Sequence, residues 1–66
     1  MTVDKVKAEV QRIAGLVDDD EEAHSAEDKL HHDVLIAIAS GKTANPQGIA
    51  LEAIQTKEIR FARWYA

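Results

Sequence analysis

Four side chains able to move a proton or hold a metal ion fall within one short stretch: His24, Glu27, Asp28 and His31. At 100° per residue they follow one edge of an apolar helical arc, which leaves them half buried, with Asp20 one turn from His24. A carboxylate one turn from an imidazole favours the imidazolium, as a pH-sensitive or proton-transferring site requires. The commoner use of such an i, i+4 pair is structural, contributing a few tenths of a kcal/mol.

Metal binding is a second use of the same residues. Glu21-x-x-His24 and Asp28-x-x-His31 repeat the carboxylate-x-x-His spacing of di-iron bundles. Those sites draw ligands from four helices, whereas every candidate here lies on one, and His24 and His31 are about 10 Å apart along its axis. One helix cannot close the coordination shell. A dimer bringing two such helices together could hold zinc through His and Asp. The single chain implies no metal and no cofactor.

Catalytic patterns are missing. The chain has no Ser-His-Asp order, no glycine-rich phosphate loop and no H-E-x-x-H. The paired carboxylates and His31-His32-Asp33 faintly resemble all-α nucleotide hydrolases, but those folds are much larger, and Asp33 points away from His31 on the helical wheel, toward Lys29 and Glu22. A solvated face explains it better, and no enzyme activity is expected. The other candidate is the C-terminal group Arg60, Arg63, Trp64 and Tyr65, since Trp, Tyr and Arg dominate binding hot spots. The competing role is structural, with Phe61 and Trp64 completing the core and the arginines pairing with the acidic helix.

Three helices must position these groups. The first runs over residues 2 to 15, with Thr2 as N-cap and Val3, Val6, Val10, Ile13 and Val17 forming one stripe. Gly15 marks its end, and Leu16 and Val17 are expected to pack across the corner. The second and longest is bounded by the Asp18-Asp19-Asp20 run, which offers an N-cap and favourable dipole charge, and by Gly41 as a left-handed cap. Its inward arc is Ala23, Ala26, Leu30, Val34, Ala37 and Ile38, with Leu35 beyond the edge. Ile36 falls on the polar side, where either another part of the fold covers it or it belongs to a contact surface, coverage being the expectation. Asn45-Pro46 starts a third helix to about Thr56, with Ile49, Ala50, Ala53 and Ile54 inward and Gly48 weakening it slightly. The last ten residues hold Phe61, Trp64 and Tyr65, expected to form a lid as a short helix or an extended strap.

Sixty-six residues make one domain, residues 1–66, of a size that buries only roughly 60% of the surface its unfolded chain exposes. Without cysteine there is no disulfide to staple it, so helix packing or a partner must supply stability. Twelve acidic against eight basic residues give a net charge of −4, and the basic residues are not gathered on one face, which disfavours direct nucleic-acid binding while leaving DNA mimicry open. No apolar run reaches the roughly 20 residues that span a membrane, and no signal-peptide pattern is present, so a cytoplasmic address is expected.

Ala23-His24, Glu27-Asp28, Asp33-Val34-Leu35, and then Ile59, Phe61, Arg63 and Trp64 form a pattern over about two thirds of the chain. In it the chain resembles short proteins of unassigned activity encoded by actinobacterial phages and by related chromosomal sequences. The resemblance implies a phage accessory protein in the host cytoplasm. It supplies no mechanism, and the first helix takes no part in it.

The sequence thus predicts an all-α, small three-helix domain with a long central helix and an aromatic C-terminal strap. The expected function is protein–protein binding to a host or phage protein, or to a second copy as a homodimer. A metal- or pH-responsive module using His24, Glu27 and His31 is the alternative, and a nucleic-acid-related regulator or DNA mimic is a third.

Overall fold

The computed structural model describes residues 1–63, and the fold is all-α with three helices and no strand among those residues. Helix α1 is Val3–Ala14, α2 is Asp20–Ala39 and α3 is Pro46–Ile54, followed by a 3-10 turn over Gln55–Glu58 and a non-helical segment over 59–63. Each helix packs on the other two, and the 3-10 turn packs on α1.

Local chemistry sets the boundaries. The Thr2 hydroxyl accepts from the Lys5 amide at 3.2 Å, the Asp19 carboxylate from the Glu22 amide at 3.1 Å, and the Asn45 side chain from the Gly48 amide at 2.9 Å. All three N-termini thereby satisfy an amide that has no intrahelical partner. Asp20, Glu21 and Glu22 then place negative charge in the first turn of α2, at the positive end of its dipole. Gly41 ends the α2 corner at φ 71°, a left-handed conformation that costs a side-chain-bearing residue about 1 kcal/mol or more.

Gly48 does more than weaken α3. A Cβ there would come within 2.6 Å of Asn45 Cγ, so the missing side chain leaves room for the cap itself. The Gly15 corner is made by ordinary right-handed turns, with the Leu16 amide donating to Ile13 O and the Asp19 amide to Leu16 O, both at 2.9 Å.

The core consists of Val6 and Ile13 from α1, Ala23, Ala26, Leu30 and Val34 from α2, and Ile49 and Ala53 from α3. Val3, Val10, Leu16, Ala37, Ile38, Ile59 and Phe61 close its margins. This matches the predicted stripes with three corrections. Leu16 alone packs inward at the first corner, and Val17 is exposed. Ile54 is 47% exposed, because as the last residue of α3 it lies about 100° or more around the helix from the buried Ile49 and Ala53, and Thr56, completely buried, takes the next inward position. Ile36 is 57% exposed, and no other described element covers it. No helix is long and apolar enough to cross a membrane.

Candidate functional site

The second helix presents Glu27 and His31, four residues apart, to the 3-10 turn and to the segment that follows it. Glu27 is buried, and its carboxylate receives both arms of the Arg63 guanidinium, Nε to Oε1 at 2.8 Å and Nη2 to Oε2 at 2.9 Å. This is a bidentate, charge-assisted contact. Arg63 also donates to three backbone carbonyls, those of Thr56 at 3.0 Å, Ile59 at 3.2 Å and Phe61 at 3.3 Å. Its guanidinium carbon sits 3.8 Å from the centroid of the Phe61 ring, close enough for a cation–π attraction. One cation thus ties the extended segment to α2 and to itself.

The Glu27 carboxyl is held below the usual carboxylate range. The hydrogen bonds from Arg63 are the main cause and outweigh burial, which acts the other way; Thr56 and the nearby charges of Arg63 and His31 help.

Thr56 stands at the middle of this network. Its hydroxyl donates to Ala53 O at 3.1 Å, and His31 Nε2 lies 3.0 Å from Thr56 Oγ1 and 3.3 Å from Ala53 O. A carbonyl can only accept, so His31 Nε2 carries a proton and donates to both oxygens. Spacing did not single out Thr56, although a signal was there. Ile49, Ala53 and Thr56 follow one another by four and three residues, the step of an inward helical stripe.

The four residues of the predicted helix-edge cluster therefore part company. Glu27 and His31 turn into the fold and serve it. His24 Nε2 lies 3.4 Å from Asp28 Oδ2, a pair with a half-buried imidazole and an exposed carboxylate. Among the described residues no three His, Cys, Asp or Glu side chains converge as a metal-binding group. The C-terminal group parts too. Arg63 points inward to Glu27, Arg60 is exposed, Phe61 of the predicted aromatic lid packs against the core, and Trp64 and Tyr65 lie outside the described residues. Asp33 pairs with Lys29 at 2.7 Å on the solvated face, as the helical wheel predicts.

Three depressions among the described residues bear on function. A cavity of about 380 Å³ between α1 and α2 is edged by Arg12–Glu9 and Lys29–Asp33 ion pairs, both at 2.7 Å. Arg12 holds the Glu9 carboxyl below its ordinary value. A second, about 400 Å³, lies at the start of α2 beside Asp20, Glu21 and His24, where the Ala62 amide donates to Asp20 Oδ1 at 3.1 Å.

The third differs in character. It is a mostly apolar groove of about 260 Å³ between α2 and α3, lined by Val34, Leu35, Ile38, Ala50, Ala53 and Ile54 together with His31. Of the lining residues Leu35 and Ile54 are 66 and 47% exposed, and Ile36 and Leu51, on the same two helices but outside the lining, are 57 and 54% exposed. Four exposed large aliphatic side chains on two neighbouring helices, two of them at one groove, are more than the scattered single hydrophobes normal on a soluble surface.

Comparison with protein-family models, curated proteins and solved structures finds no match to this chain.

Proposed function

We propose that this protein is a non-catalytic binding module whose contact surface is the apolar face of α2 and α3. Its partner would be a protein presenting an apolar helix. The exposure of Leu35 and Ile54 at the groove, with Ile36 and Leu51 also exposed on the same two helices, is the observation that carries this proposal. Helix-in-groove recognition uses this chemistry: a groove between two helices receives aliphatic anchors spaced along a third. The resemblance to short actinophage proteins supports the setting, a phage accessory protein that modulates a host or phage protein in the host cytoplasm.

The polar groups support binding over catalysis. Glu27 is engaged with Arg63, and His31 with Thr56 and Ala53, so a metal ion using both would have to displace Arg63 from Glu27 and break the contacts of His31 Nε2 or bind its other nitrogen. Zinc should accordingly leave the melting temperature unchanged, because only a ligand that binds the folded state raises it. A zinc-dependent rise abolished by His24→Ala and His31→Ala would instead favour the metal-responsive module.

The direct test places a photo-cross-linking residue at Ile36 and identifies the cross-linked peptide. A discrete adduct to one protein, lost when Leu35→Glu is added, is the expected result. An adduct that survives Leu35→Glu, or none from the folded bait, would remove this face from the function.

A further inference from the structure

We infer that the helix received by this face is α2 of a second copy, so that the chain forms a two-fold symmetric dimer through α2 and α3. This rests on the binding proposal above and names its partner. The first support is charge. Residues 34–51 hold one charged side chain, Lys42, in a chain that is 30% charged. Seven of the twelve acids lie instead within residues 18–28, at the other end of α2. Two copies meeting through residues 34–51 and α3 bring together surface whose charged side chains are Lys42 and Glu52, of opposite sign, and keep the acidic start of α2 out of the contact. A face shaped for a differently charged partner would carry the opposite charge at its rim, because complementary charge gives specificity and steers encounter.

The second support is shape. An isologous contact requires one surface to be both donor and acceptor of side chains. This face is both. Leu35 and Ile54 wall the groove and project from it, while Ala50 and Ala53 on α3 leave the hollow between them. A two-fold axis through this face would let Leu35 of each copy meet the groove of the other. The third support is the size of the core. Among the described residues eight apolar side chains are buried, and three of them are alanines, Ala23, Ala26 and Ala53. A core of small side chains folds the protomer with little stability to spare, and burial against a second copy is one way in which small scaffolds add to it.

The other two depressions offer no comparable argument. The α1/α2 cavity is edged by ion pairs already satisfied, and the depression at the start of α2 is bordered by acidic side chains at a helix N-terminus.

Sedimentation equilibrium of the full chain, from micromolar to millimolar, tests the inference. The expected result is a monomer–dimer equilibrium, with Leu35→Glu raising the dissociation constant at least roughly tenfold and far-UV circular dichroism unchanged. Leu51→Glu serves as a second variant, since Leu51 is also more than half exposed and its loss leaves the core intact. A monomer at every concentration would overturn the dimer, as would a dimer insensitive to both substitutions or an open-ended oligomer. The cross-link at Ile36 separates the two proposals. A monomer that cross-links to a different protein retains the binding module and loses the dimer, whereas a monomer that cross-links to nothing loses both.

Discussion

The contact between Glu27 and Arg63 spans 36 residues of sequence, and its energy lies in what happens when one partner is missing. A buried ion pair contributes little net stability against a hydrophobic replacement, but removing one partner strands the other charge. Arg63→Ala removes both charge-assisted bonds of the buried Glu27 carboxylate, and should lower stability by about 3–5 kcal/mol, measured by urea denaturation. The pH dependence follows from the direction of the Glu27 shift. Its carboxyl is depressed in the folded state, so the stabilisation is fully present above the unfolded value of about 4.3 and is lost as pH falls through the folded value. Glu27→Gln should flatten that acid limb and lower stability near neutral pH, where the ion pair is complete; equal acid sensitivity in wild type and variant would mean that other carboxylates carry it. Thr56→Val keeps the volume but removes the hydroxyl that accepts from His31 Nε2, at an expected cost of about 1–3 kcal/mol. This network could not be read from spacing. His31, Glu27 and Arg63 were each visible as candidates, but partners 25 and 36 residues apart are chosen by the tertiary fold.

At the scale of the element, the sequence was legible wherever the chain states its own boundary. Thr2, Asp19 and Asn45-Pro46 are N-caps by residue type, and their side chains make the bonds expected of them. Gly41 adopts the positive φ that ends the α2 corner, with nothing within 4 Å of the position a Cβ would take. Gly41→Ala should therefore cost about 1 kcal/mol from backbone conformation alone, without a packing penalty, as a drop of several degrees in melting temperature. The end of the third helix was less legible. It was expected to run regularly to Thr56, but the α-helix stops at Ile54 and a 3-10 turn follows, in which the Thr56 hydroxyl bonds back to the Ala53 carbonyl, while Ile54 lies on the wheel away from Ile49 and Ala53. Ile36 was expected to be covered because large aliphatic side chains usually are. Three short helices have no fourth element to put over it, and its exposure could be known only after the other helices had been placed.

For the whole molecule, stability and association are coupled. A domain of this size holds roughly 3–10 kcal/mol of folding free energy, and Ile49, completely buried at the meeting of the helices, stands to lose about 2–5 kcal/mol of it on substitution by alanine. Ile49→Ala should therefore melt at a lower temperature at every protein concentration. Leu35 behaves differently, because two thirds of its side-chain-bearing residue surface is open to solvent in the protomer. Its replacement by glutamate changes an isolated protomer by about 0.5 kcal/mol or less. A dimer, however, links folding to concentration, since a second copy that binds only the folded chain raises its melting temperature by mass action. The wild-type melting temperature should thus climb with protein concentration, while that of Leu35→Glu stays at the dilute value, so that the two curves coincide at low concentration and separate as it rises. A gap of constant size at all concentrations would place Leu35 in the stability of the protomer itself, and its exposure would then have to be explained without a second copy.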